Sequence, residues 1–210
     1  CYVGILGVHP DVLGKRVGKR LMLQALQAAR KHQKTRLDLG TWAGNYKAMP
    51  LYKKVGLFWV PNTSVSMEDY IPLILNIPLF SKFWTKYPDW YSIFQRELTQ
   101  SPDEEEFEGI HVYTYRFQHG TDHLIVWIDR YAKALLGFDL KLDNKRLKMR
   151  LKARNNTAFR GLRYSFALEV VSSEPLSHLS IVPQLPSSIS LVHSFSLPSS
   201  PFKEWTTSNE

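Results

Sequence analysis

Residues 45–57 read Asn45-Tyr46-Lys47-Ala48-Met49-Pro50-Leu51-Tyr52-Lys53-Lys54-Val55-Gly56-Leu57. They follow, after one strand, a loop reading Val8-His9-Pro10-Asp11-Val12-Leu13-Gly14-Lys15-Arg16-Val17-Gly18-Lys19. Outward from these two stretches, Tyr2 to Val8 reads as a buried strand, with Val3, Ile5, Leu6 and Val8 apolar and Gly4 and Gly7 allowing close backbone approach. From Val17 the apolar spacing turns helical. Val17, Leu21, Ala25 and Ala28 share one stripe, with Met22, Leu26 and Ala29 beside it, and the helix should end near Lys31 to Lys34. Arg36 to Thr41 alternates around Leu37 and Leu39 as a second strand. Asn45 is then placed to cap a helix through Lys54, with Gly56 as its stop. Strand, helix, strand, helix predicts an α/β layered domain with parallel pairing.

At the junction of the first loop and helix, the leading N–H groups lack intrahelical partners and the macrodipole adds partial positive charge. A phosphate is stabilised there without needing any one side chain. Charge points the same way. The net +8 is uneven: residues 1–56 hold 11 Lys and Arg against Asp11 and Asp38, whereas residues 57–210 hold 16 basic and 17 acidic side chains. The first quarter is therefore expected to meet an anion.

Together the two stretches resemble the Gcn5-related N-acetyltransferase (GNAT) family. Its signature is a strand ending in Val-x-Pro, an Arg/Gln-x-x-Gly-x-Gly/Ala loop opening a helix, another strand, and Asn-x-x-Ala-x-x-Leu-Tyr-x-Lys-x-Gly-Phe. The resemblance covers residues 2 to about 58. It implies that acetyl-CoA is the co-substrate, its pyrophosphate cradled by Leu13, Gly14, Lys15, Arg16, Val17, Gly18 and Lys19. The strand ending at Val8 would pair with the pantetheine arm, and Asn45 would hydrogen-bond that arm. Tyr52 would protonate the departing CoA thiolate. Two positions depart from the pattern: Leu13 stands where the family has Arg or Gln, and Arg16 where it has the first Gly. Either the Arg16 guanidinium folds back onto a phosphate, or the site is weakened; retained binding is expected.

Further along, Leu57 to Met67 reads as a strand or strand pair interrupted by Pro61-Asn62, and Asp69 to Gln95 as an aromatic, helical connector. Ser101 to Glu108 reads as an exposed acidic linker. Strands are then expected at Ile110 to Phe117, His123 to Tyr131, Leu135 to Leu142, Leu147 to Ala153 and Tyr164 to Val171, joined by turn signals as in a small β-sandwich. Tyr113, Tyr115 and Trp127 are expected on one face in its core. Lys148, Arg150 and Lys152 should form a solvated basic face. The predicted domains are 1–68, the C-terminal part of an acetyltransferase domain; 69–108, connector and linker; 109–171, a β-rich domain resembling immunoglobulin-like modules in architecture; and 172–210, a Ser/Pro-rich tail. The predicted fold class is α/β, a truncated GNAT acyl-CoA N-acyltransferase fold with a mixed sheet, followed by the β-sandwich-like domain.

Other chemistry is poorly supported. The seven histidines show no metal-ligand spacing with Cys or acids, so no metal is expected. Asn62-Thr63-Ser64 and Asn155-Asn156-Thr157 match the glycosylation sequon but read as accidental. Asp38 and Glu68 are the carboxylates nearest the site and read as surface charges. The lone Cys1 favours a reducing compartment, and no stretch reaches the roughly 18 to 20 apolar residues that span a bilayer. A chain opening inside an apolar strand reads as a fragment, expected to be inactive alone and cytoplasmic, with an amine acceptor as partner and neither nucleic acid nor membrane. The rival reading is a non-catalytic interaction protein, with a decayed acetyltransferase half and a β domain binding a protein or carbohydrate.

Overall fold

The computed structural model describes residues 1–63, 65–98, 103–153, 166–175 and the strand 204–206. The second sequon and most of the predicted tail lie outside these residues. The chain divides into two compact units, Cys1–Asn144 and Lys145–Glu210, whereas the sequence sets boundaries at 68, 108 and 171. The first unit runs on to 144 because side chains from its later strands reach into the earlier ones.

Its first sheet has the order β1 (Tyr2–Val3), β2 (Leu37–Gly40), β4 (Ser66–Asp69), β3 (Phe58–Trp59). Only β1 and β2 are parallel, with Tyr2 opposite Asp38; β4 runs antiparallel to both of its neighbours. The expected strand pair around Pro61-Asn62 is thus the β3–β4 hairpin. Helix α1 (Val17–Lys31) joins β1 to β2, and α2 (Met49–Lys54) joins β2 to β3. The side of α1 that is buried is Met22, Leu26 and Ala29, while Leu21 is largely exposed, so the inward stripe is rotated one residue from the expected one. Met22, Leu26 and Ala29 recur at the 4- and 3-residue steps of one helical face.

Both helices end in the same hydrogen-bonded cap. For α1, Lys34 N–H donates to Ala29 O and Gln33 N–H to Arg30 O, with Gln33 at φ 52°; for α2, Leu57 N–H donates to Tyr52 O and Gly56 N–H to Lys53 O, with Gly56 at φ 107°. This is the Schellman pattern, in which the residue past the helix takes the left-handed region. Gly56 also needs its missing side chain, since a Cβ there would lie 2.8 Å from Ile71 Cγ1 and 3.0 Å from Asp69 Oδ1.

Residues 71–93 form α3 (Ile71–Asn76), α4 (Ser81–Lys86) and α5 (Trp90–Ile93), as the helical connector predicted. The second sheet of this unit is an antiparallel meander of β7 (Ile110–His119), β8 (Asp122–Asp129) and β9 (Ala134–Leu142), with β5 (Phe94–Gln95) and β6 (Glu105–Phe107) both pairing with β7. One face carries Tyr113, Tyr115, Phe117, Leu124, Val126 and Ile128, all fully buried. The aromatic rings among them meet Phe58 of β3, Tyr70 just past β4, Trp84 of α4 and Phe94 of β5, with ring centroids 5.0–6.1 Å apart. Trp127 is a correction to the expected single aromatic face. It sits opposite Thr114 in the ladder, hence on the other side of the sheet, stacked on Phe107 at 4.3 Å.

The linker expectation also fails at Glu105–Phe107, which is strand rather than loop: Phe107 gains the Trp127 stack, and Glu105 pairs with Arg116. In the second unit, β10 (Lys145–Ala153), β11 (Phe166–Ser172) and β12 (Glu204–Thr206) are successive antiparallel neighbours. The basic face of β10 is not uniformly solvated. Arg150 is buried and paired with Glu169, which also binds Lys152 at 2.7 Å, while the apolar Leu151 is exposed. The chain is therefore a mixed α/β protein with two kinds of sheet, and among the described residues no helix is long and apolar enough to cross a membrane.

Candidate functional site

Pairing between β1 and β2 stops after Val3, so residues 4–8 form no ladder, and Ile5 is 95% exposed. This corrects the expected buried strand through Val8. The segment lies at the sheet edge with β2 on one side only, and glycines at 4 and 7 favour no regular extension. A 3₁₀ turn at Pro10–Val12 follows, its first amide facing the His9 ring.

The loop then bends twice through the left-handed region, at Gly14 (φ 78°) and at Arg16 (φ 60°), the residue immediately before α1. Arg16 thus adopts the backbone that a glycine would supply, at a cost of about 1 kcal/mol for a residue with a Cβ. That conformation leaves the N–H groups of Val17, Gly18 and Lys19 ahead of the first intrahelical bond, Arg20 N–H to Arg16 O at 3.1 Å. Gly18 is closely packed. A Cβ there would lie 3.1 Å from Leu51 Cδ2 and 3.8 Å from Val8 Cγ2, so the strand end, the loop and the second motif converge on it.

The charges around this junction are fewer than the sequence suggests. Lys15 and Arg16 are exposed, but Lys19 turns its ammonium onto the Tyr91 ring, 3.6 Å from the centroid. Leu13 is exposed and supplies only backbone.

Asn45 does not cap α2 through its side chain. Its amide donates to Thr41 Oγ1 at 3.1 Å, and its carbonyl accepts from Ala48 and Met49 N–H, making a turn that delays the helix to Met49. Pro50 in the first helical turn fits this start, since no donor is needed there. Tyr52 is only 7% exposed, and burial pushes its phenol above the ordinary tyrosine value. Its hydroxyl forms no hydrogen bond among the described residues, and it is protonated at neutral pH.

Glu68 is not a surface charge, as the sequence had suggested. It is 1% exposed and bound by Arg36 (3.3 Å), Lys133 (3.0 Å) and the Tyr113 hydroxyl (3.0 Å). Asp38 is half-buried and paired with Arg36 at 2.7 Å. Both carboxylates are committed to ion pairs. Beside them Asp69 is fully buried, and burial holds its carboxyl well above the usual carboxylate range, only partly offset by the Ile71 N–H at 2.8 Å. Asp69 did not stand out in sequence, and its partner Tyr115 was singled out only as a core aromatic. What sets Asp69 apart appears only in the structure, where Met67 to Asp69 are three consecutive buried positions on a strand flanked on both sides. Among the described residues no three His, Cys, Asp or Glu side chains are grouped to hold a metal ion.

The loop before α1 and the first turn of that helix thus present three N–H groups without intrahelical partners, beside Leu51 of α2. Residues 1–57 match the model of the acetyltransferase (GNAT) family. No curated protein and no solved structure matches the chain.

Proposed function

We propose that the chain takes part in N-acetyl transfer from acetyl-CoA to an amine of a small molecule or protein. The observation that carries this reading is the convergence of Val8, Gly18 and Leu51 beneath a loop whose backbone keeps the glycine-type conformation at Arg16. The N–H groups of Val17 to Lys19 would bind the pyrophosphate, with Leu13, Gly14, Lys15 and Arg16 shaping the cradle. Residues 4–8, with no ladder partner of their own, would pair with the pantetheine arm, and Asn45 would lie alongside it. The acceptor nitrogen attacks the thioester carbonyl, the C–S bond breaks, the nitrogen gives up its proton to solvent, and Tyr52 protonates the thiolate. A buried, protonated phenol supports that last role. We place the reaction in the cytoplasm, where the exposed Cys1 thiol stays reduced.

The test is calorimetric titration of the full chain with acetyl-CoA. Saturable heat with a thermal shift is expected. A titration with no heat and no thermal shift would sink this reading and favour the rival, a non-catalytic protein whose β-rich region binds a protein or carbohydrate.

A further inference from the structure

We propose that Tyr115 and Asp103 are positioning residues for Tyr52, fastening the C-terminal end of α2 from a part of the chain outside the family match. The proposal rests on the reading of Tyr52 as the proton donor. Helix α2 has only six residues, too few to hold its own geometry, so its end must be fixed from outside. Two fastenings do so.

The fully buried Tyr115 hydroxyl lies 3.1 Å from the Gly56 carbonyl, to which it donates, and accepts the Tyr70 N–H at 2.8 Å. One hydroxyl thereby ties β7, the cap of α2 and the turn into α3 together. Both of the backbone groups it serves would be left without this partner in a phenylalanine variant. Asp103 makes the second fastening. One carboxylate oxygen meets Lys53 Nζ at 2.8 Å and the other accepts the Trp59 N–H at 2.7 Å, clamping α2 to β3. Lys53 is 3% exposed, and it neighbours Tyr52 in the chain. Tyr52 therefore sits between Leu51, packed towards Gly18 of α1, and the clamp at Lys53.

The experiment compares the full chain with its Tyr115→Phe and Asp103→Asn variants. Amide exchange over residues 52–57 is expected to quicken about three- to ten-fold in each variant, from loss of one buried hydrogen bond, with β8 amides unchanged. Tyrosine carrying ¹³C at the ring Cζ, assigned with Tyr52→Phe, reports ionisation residue by residue. The Tyr52 resonance is expected to titrate at lower pH in both variants, back toward the ordinary value, because a loosened α2 admits water. A role in general stability alone would leave that titration where it is. Unchanged exchange, or a Tyr52 titration that does not move, would overturn the proposal. Acetyl-CoA calorimetry on the same samples separates the two claims: a wild-type chain that fails to bind sinks the acetyl-transfer reading, whereas binding beside an unmoved Tyr52 titration sinks the positioning role alone.

Discussion

Between Leu13 and Lys19 the chain is mostly exposed, and its shape depends on backbone angles at Gly14 and Arg16; between Lys53 and Leu57 all but Lys54 is buried, and side-chain partners hold Lys53 and Gly56. The first stretch is built to offer backbone N–H groups outward, so it tolerates Arg16 at a glycine position. The second is built to hold a helix end against two other strands, and its Gly56 has no room for even a methyl group. The two motif stretches thus impose different demands: one on conformation, the other on packing.

The largest effect should come from Gly56→Ala. Left-handed strain and the contacts with Ile71 and Asp69 together should cost about 3 kcal/mol, read from the urea midpoint. A cost below about 1 kcal/mol would break the contrast on its packing side.

Asp69 gives a pH test of the same region. Its folded carboxyl holds the proton to higher pH than the unfolded chain does, so its stabilising contribution is complete below about pH 3.8 and declines as pH rises toward the folded value. Asp69→Asn should flatten that decline between pH 4 and 8 in a series of urea melts. A variant that keeps the wild-type slope would show the carboxyl to be ionised.

Arg16→Gly should act in the opposite direction and less strongly, stabilising the chain by about 1 kcal/mol through release of strain. Acetyl-CoA affinity should change by less than about three-fold, since in the proposed reading backbone N–H groups make the main contacts to the pyrophosphate. A ten-fold loss on calorimetry would show that Arg16 binds a phosphate directly.

Much of the first 57 residues was legible because local signals and tertiary structure agree there. Val17 to Lys31 has both helical period and a basic last turn, and Gly56 stops α2 as its conformation requires. What sequence missed depended on long-range contacts. Residues 4–8 are apolar enough for a strand but have no ladder partner; Asn45 prefers Thr41 to the helix it precedes; and Glu105 to Phe107, acidic enough to read as linker, pair with β7 while Phe107 stacks on Trp127 of β8. The buried Glu68 could not be read from its neighbours in sequence, since the Arg36, Tyr113 and Lys133 that neutralise it lie 32, 45 and 65 residues away.

The Lys19 ammonium over Tyr91 bears on how the cradle responds to ionic strength. A cation resting on an aromatic face is already partly satisfied, and drawing it off costs about 0.5–1 kcal/mol. Lys15 and Arg16 are then the readily available counter-charges, and Lys19 is a reserve. Tyr91→Leu would release that reserve, so the fall of anion affinity with added salt should be steeper in the variant than in the parent chain.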